Sequence, residues 1–530
     1  MAEHTPGSSV RATAKPGERS AVRRRALRWL WARRVTQGVV LVASLAFFVA
    51  TARRLEGTTV SDPFFLVDPL LGTAGMLAAR RVLPRLLWSL GLLGLTLVVG
   101  RGWCGWACPL GTMLDLTSPA AGRGTAPTWR RLKYLILVAI LGASLLGSLT
   151  LVALDPLTIL TRSLAVALLP ALNWVITAAE TALYDAVPFL REPLVTFETL
   201  VRGTLLPFQQ PYFPAGILFG GLFVGILALN LAAPRFWCRT LCPLGAGLGL
   251  ISRVAWLRRT VDSRCTACGR CARVCPTQTI DPEHGYASDP AECTMCLECL
   301  AACPVGAQRI AGSWGLAKGQ AYDPSRRHLL LAAGAGLLGA TLARVTGSSV
   351  HPRPALLRPP GAHDPEFSSL CVRCGRCLKA CPTSGLQPSL GEAGLEGLWT
   401  PVLVPRLGSC NYSCNTCGQV CPTGAIPPLT LEEKRQQIIG TAYIDHNRCI
   451  PWADARECLV CEEVCPLPRK AIVLDEAEAV RGEGETVRLR RPRVVRERCI
   501  GCGLCENKCP LNSEAAIRVR VDDPSVRTQS

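Results

Sequence analysis

The sequence predicts an α-helical membrane unit of four spans, joined to small α+β domains organised around cysteine clusters. Three observations predict it. Long stretches of the 530-residue chain carry no charge, and mean hydropathy is +0.26. All 28 cysteines fall into eight compact runs. The first half of the chain is an internal duplication.

About twenty apolar residues are needed to cross the hydrocarbon of a bilayer. Residues 35–51 form the first such stretch, preceded by a basic region, 1–34, with nine Lys/Arg between Arg11 and Arg34. That flank reads as cytoplasmic, because positive charge stays inside. Residues 86–100, 134–154 and 214–233 are the second, third and fourth spans. The fourth carries Gly216/Gly220 and Gly221/Gly225 at the spacing that lets helices pack closely. Residues 159–190 are apolar but interrupted by Arg162, Pro170, Glu180 and Asp185. They read as an interfacial or re-entrant helix, with a fifth full span as the alternative.

The duplication sets the unit's limits at 35–245. Each copy runs span, Asp-Pro-Leu (Asp68 to Leu70, then Asp155 to Leu157), span, and a closing W-C-x-x-x-C-P-L-G. Those motifs contain Cys104 and Cys108, then Cys238 and Cys242. With the N-terminus inside, both cysteine pairs lie at the cytoplasmic face. Arg53, Arg54, Arg80 and Arg81 fall in the first outer loop and oppose this orientation. Ten Lys/Arg between Arg235 and Lys318 favour it. Asp68 and Asp155 read as helix caps, or as a proton relay.

Four cysteine runs follow C-x2-C-x2-C-x3-C-P without deviation: Cys265, Cys268, Cys271, Cys275; Cys293, Cys296, Cys299, Cys303; Cys371, Cys374, Cys377, Cys381; and Cys499, Cys502, Cys505, Cys509. This is the ligand pattern of [4Fe–4S] clusters, in which the fourth cysteine of one run serves the cluster of its partner run. Zinc also uses C-x2-C pairs, but needs no third step and no C-x3-C-P. Two further runs are irregular: Cys410, Cys414, Cys417, Cys421 and Cys449, Cys458, Cys461, Cys465. Each still supplies four thiolates, so six clusters are expected.

The two-cluster rule joins Cys265, Cys268 and Cys271 to Cys303, and Cys293, Cys296 and Cys299 to Cys275. For the last four runs the reading is outer with outer and inner with inner. Cys371/Cys374/Cys377 would then take Cys509, and Cys499/Cys502/Cys505 would take Cys381. Cys410/Cys414/Cys417 would take Cys465, and Cys449/Cys458/Cys461 would take Cys421. The two C-x-x-x-C-P pairs leave two readings: buried thiols at helix ends, or four convergent thiols that hold a metal or act as a redox dithiol.

The domain plan is therefore a two-cluster domain at 246–322, a signal or anchor at 323–345, a linker at 346–365, a four-cluster domain at 366–520 and a tail at 521–530. The anchor begins Ser325-Arg326-Arg327-His328-Leu329-Leu330-Leu331, which matches a twin-arginine export signal. The Gly-rich 334–339 inside it follows no strand, so it is not a dinucleotide loop. No C-x-x-C-H and no histidine within a span are present, so haem is not expected. The net charge of +19 lacks a basic stripe with interleaved aromatics, so neither is nucleic acid.

The Asp-Pro-Leu and W-C-x-x-x-C-P-L repeats, followed by two cysteine runs, resemble NapH, the membrane quinol-oxidising subunit family of periplasmic nitrate reductase systems. The twin-arginine stretch, Arg358-Pro359-Pro360-Gly361-Ala362 and Cys371-Val372-Arg373-Cys374-Gly375 resemble the NapG/MauM periplasmic polyferredoxins. The chain looks like a fusion of the two; Cys410–Cys421 departs from the usual spacing.

The resemblance implies bacterial two-cluster ferredoxin-like domains on a multi-pass protein of the cytoplasmic membrane, with 246–322 cytoplasmic and 346–530 periplasmic. It implies an electron-transfer subunit carrying electrons from quinol or a cytoplasmic donor to a periplasmic reductase or cytochrome. The alternative is a maturation or activation factor for another metalloprotein.

Overall fold

The computed structural model describes residues 16–51, 63–118, 127–202, 206–207, 209–313, 326–348, 356–364, 366–481 and 485–521. Expectations for residues 1–15, for Arg53 and Arg54, for residues 349–355 and 365 of the linker and for nearly all of the tail lie outside the described residues.

The unit is built twice on one plan. Helix α1 (Pro16–Ala50) is followed by α2 (Pro69–Ala79), α3 (Ser89–Val99) and α4 (Pro109–Thr117). In the second copy α5 (Arg131–Leu145) is followed by α6 (Pro156–Ala186), α7 (Gly216–Ala228) and α8 (Pro243–Ser252). Asp68 and Asp155 cap α2 and α6, accepting from the backbone N–H groups of Leu70 and Leu71, and of Leu157 and Thr158. Each is followed by proline at the first helical position, where no N–H is needed.

Not all four expected spans reach crossing length. By length and apolarity, two helices among the described residues are able to cross a membrane, Arg24–Ala50 and Pro156–Ala186. The other expected spans are shorter apolar helices, among them Pro84–Val99 and Gly216–Leu231. Residues 156–186 are one unbroken helical run, not the interrupted segment expected. A π turn at Leu164–Leu168 absorbs Pro170, whose ring would crowd the carbonyl of Val166 in a regular helix.

Nor does α6 cross the unit. Arg162 lies over Phe219, and Gly216 abuts the Val166 carbonyl, so α6 runs antiparallel to α7. Its last turns pass beyond the start of α7. There Arg202 ties the returning helix Arg191–Val201 back to Asn173, Thr177 and Glu180. Of the expected glycine pairs, Gly216/Gly220 meets Val166 and Ala167, whereas Gly221/Gly225 has nothing against it.

The stretch expected as a free signal or anchor is helix α9 (Arg326–Ser348), packed against α5. Gly336 lies against the carbonyl of Ala139, and Gly142 against that of Ala333. These pairings make α9 antiparallel to α5. It does not run in the sense required of an anchor leading from the first cysteine domain to the second.

Two cysteine-rich domains cap the unit. In the first, antiparallel strands β1 (Leu257–Val261) and β2 (Gln308–Gly312) bracket both runs. In the second, β3 (Leu386–Pro388) pairs with β4 (Pro401–Leu403). There β5 (Thr441–Ile444) also pairs with β8 (Ile517–Arg520), and β6 (Ile472–Arg481) forms a hairpin with β7 (Glu485–Val494).

Helix α1 touches both domains. Arg33 donates to the Cys296 carbonyl and pairs with Glu298 of the first. Near the other end, Lys379 of the second domain donates to the Phe48 and Val49 carbonyls, and Arg376 to Thr51. From 33 to 51 is eighteen residues, or about 27 Å of helix. The two domains therefore sit at opposite ends of the unit.

Candidate functional site

Four small cavities of about 20–30 Å³ are each lined by four cysteines. Their similar size points to one kind of occupant. In the first domain the set is Cys293, Cys296, Cys299 and Cys275, as the spacing predicts. Cys271 feels Cys265 and Cys303 electrostatically, in line with the other expected set.

The second domain corrects the expected pairing. Its cavities gather Cys371, Cys374, Cys377 with Cys421, then Cys410, Cys414, Cys417 with Cys381, and Cys449, Cys458, Cys461 with Cys509. Cys502 feels Cys499, Cys410 and Cys465 electrostatically. Runs adjacent in sequence therefore exchange their fourth cysteines. The reason is local: β3 and β4 return the chain from Cys381 to Cys410, and the β6–β7 hairpin returns it from Cys465 to Cys499. A short return keeps two runs together, whereas an outer–outer pairing would close a loop across the whole domain.

These sites fit iron–sulfur clusters. Among the described residues no three His, Cys, Asp or Glu side chains are gathered tightly enough for a single metal ion. A cubane takes one thiolate per iron and needs a wider set. Backbone N–H groups point at the sulfurs: Ala307 to Cys303, Ile426 to Cys421, Ala442 to Cys499. Burial pushes the Cys296 and Cys461 thiols up to about 12. That disfavours a free nucleophile and is reversed by a bound cationic centre.

Docking of the first domain rests on charges that sequence reasoning missed. Glu292 accepts from Lys133 at 2.6 Å, Tyr134 at 3.1 Å and Arg101 at 3.2 Å, all of them buried. Burial alone would raise the Glu292 carboxyl, but Lys133 and Arg101 hold it below the usual range. Arg33 and Arg235 both pair with Asp115, each at 2.5 Å. The only available signal was a charge in each apolar repeat, which spacing cannot pair. Docking of the second domain uses Arg162, which lies 4.3 Å from the Trp399 ring and donates to the Arg373 carbonyl.

All four C-x-x-x-C-P cysteines are buried in one core with Leu110, Leu157 and Cys374. A larger cavity, about 840 Å³, opens beside them, lined by Arg25, Trp29, Trp103, Trp106, Met295 and Gln308 among others. Met295 belongs to the loop that carries Cys293 and Cys296. Asp68 and Asp155 are wholly buried and face one another within hydrogen-bonding reach.

Comparison with known proteins agrees with this organisation. Residues 82–127 and 214–263 match a family described as a 4Fe-4S binding domain. Residues 264–307 and 456–513 match one 4Fe-4S dicluster domain family, and 370–426 another. The last two matches fall on the two pairs of adjacent runs.

The methylamine utilization ferredoxin-type protein MauM of Methylophilus methylotrophus is 36% identical over 205 residues, covering 37% of this chain and 87% of that protein. The ferredoxin-type protein NapG of Haemophilus influenzae is 32% identical over 210 residues, covering 38% and 74%. The regulatory protein NosR of Pseudomonas aeruginosa is 29% identical over 261 residues, covering 45% and 28%. No solved structure matches the chain. Through a stretch amounting to 37% of its length, the chain belongs to the family of ferredoxin-type iron–sulfur electron-transfer proteins represented by MauM and NapG.

Proposed function

We propose that this protein conducts electrons across the cytoplasmic membrane, between two [4Fe–4S] clusters at one end of a helical unit and four at the other. The carrying observation is the placement of the two cysteine-rich domains about 27 Å apart along α1. That separation is close to the thickness of bilayer hydrocarbon. The clusters, when bound, supply reversible one-electron chemistry. The chain's part is to hold their cysteines in buried cavities and to fix the spacing between them.

The electron donor in this reading is quinol, seated in the cavity beside Trp29, Trp103 and Trp106. Tryptophan favours the membrane interface, apolar walls suit a quinone tail, and Arg25 and Gln308 offer polar contacts to a head group. Met295 brings that cavity against the cluster loop of Cys293–Cys299. Each quinol gives up two electrons, one at a time, and releases two protons to water. The acceptor is a redox partner at the far face, of the kind that a periplasmic reductase or cytochrome would supply.

The test is anaerobic reduction of the purified protein by a soluble quinol, followed by visible and paramagnetic resonance spectra. Quinol-dependent bleaching that is lost in Trp106→Ala, with iron content unchanged, supports the reading. An unchanged spectrum under excess quinol refutes quinol as the donor. A reporter fused after residue 521, active only outside the cytoplasm, tests the sidedness.

A further inference from the structure

We propose that Cys104, Cys108, Cys238 and Cys242 together hold a seventh [4Fe–4S] cluster, shared between the two halves of the duplication and lying between the two cysteine-rich domains.

The four thiols are buried in one core; Cys108 feels Cys238 and Cys104 electrostatically, Cys238 feels Cys104, and Cys242 feels all three others. Each half supplies only two, so neither half alone completes a ligand set. Each matched 4Fe-4S binding segment, 82–127 and 214–263, likewise contains only one pair. The 28 cysteines divide by four into seven sets with none left over.

The local geometry repeats what the ferredoxin sites show. Cys108 and Cys242 cap α4 and α8, and their sulfurs accept from the Gly111 and Gly245 N–H groups at 3.4 and 3.2 Å. Cys303, Cys421 and Cys499 accept the same kind of bond. Space is tight three residues after each of these cysteines. A Cβ on Gly111 would stand 3.0 Å from the Cys104 carbonyl, and one on Gly245 would stand 2.8 Å from Arg101.

Unpaired donors lie in and beside the two motifs. The indole N–H groups of Trp103 and Trp237, each preceding the first cysteine of its motif, are buried without a partner. So is Nε of Arg101, whose guanidinium lies close to Cys242 and Cys104. Arg235 braces the Cys104 carbonyl at 2.8 Å. Buried donors without acceptors are costly. The sulfides of a cluster are acceptors that would satisfy them.

The position is that of a relay. On one side Gly105 lies against the Thr294 carbonyl, and Trp106 donates to Met295 at 2.9 Å. On the other, the same core reaches Val372 and Cys374. One electron enters from the set of Cys293 and one leaves toward the set of Cys371, with no bond made or broken. The inference rests on the iron–sulfur reading but not on quinol as donor.

The full chain is purified anaerobically, and iron, sulfide and zinc are counted per chain. The expected content is about 28 iron atoms, four for each of seven clusters. Cys108→Ser with Cys242→Ser lowers it to about 24 and removes one component from the Mössbauer and resonance spectra. About 24 iron atoms in the unsubstituted protein overturn the seventh site while leaving the six others standing. So does one zinc per chain that the double substitution removes. Should that variant fail to fold, the unsubstituted count decides.

Discussion

Glu292→Ala is the sharpest perturbation of how the first cysteine domain is held. The carboxylate is 5% exposed and sits between Lys133 and Arg101, which are 0% and 1% exposed. Removing it leaves two buried cations without their counter-charge. Breaking one buried ion pair costs about 3–5 kcal/mol. With about 1.4 kcal/mol per factor of ten, local opening should become about 10²–10⁴-fold more frequent. Amide exchange reads this directly, at residues 289–296 and at the start of α5. Glu292→Gln keeps an acceptor for Lys133 and Tyr134, so its effect should be smaller. Adding Lys133→Met to Glu292→Ala should recover part of the loss, since one stranded charge is gone. Protection changed by less than tenfold in Glu292→Ala would refute the account.

Three further outcomes follow. Because Glu292 is held below its ordinary value, its contribution is complete above the unfolded carboxylate range, about 4.3. It is lost as pH falls through the lower folded value. Protection of residues 289–296 should therefore fail below about pH 4, and Glu292→Gln should flatten that acid limb. Cys421→Ser should abolish the cluster signal that Cys374→Ser abolishes, whereas Cys509→Ser should match Cys458→Ser; the reverse would restore the outer–outer pairing. Gly105→Ala places a Cβ into the Thr294 carbonyl, which no side-chain rotation relieves. Overpacking of this kind costs about 1–3 kcal/mol, and limited proteolysis between 257 and 312 should accelerate.

The cysteine runs were legible because their chemistry is local. Two-residue spacings turn three sulfurs inward within one loop, whatever surrounds it. The irregular runs at Cys410 and Cys449 line cavities of the same size as the regular ones, so the longer loops between their ligands change nothing at the site. Which fourth cysteine completes each set of the second domain was not legible. That choice depends on how strands return the chain, and β3–β4 and the β6–β7 hairpin return it to the neighbouring run. Helix breakers misled for the same reason. Pro170 reads as an interruption, yet one π turn keeps the helix continuous. Gly221 and Gly225 carry a packing motif that faces nothing, while Gly216 and Gly220 carry one that is used.

By itself the sequence determined the chemistry: six runs of four cysteines and two C-x-x-x-C-P pairs, a duplicated apolar scaffold, and the Asp-Pro-Leu caps that start α2 and α6. Each depends on neighbours within a few residues. Only the tertiary structure decided which thiols share a cavity and which charges meet across the scaffold. It also decided that the two cysteine-rich domains stand at opposite ends of α1. Those relations join residues up to hundreds of positions apart, Arg376 to Thr51 and Arg33 to Cys296 among them. They are fixed by the packing of helices whose individual patterns carry no record of their partners.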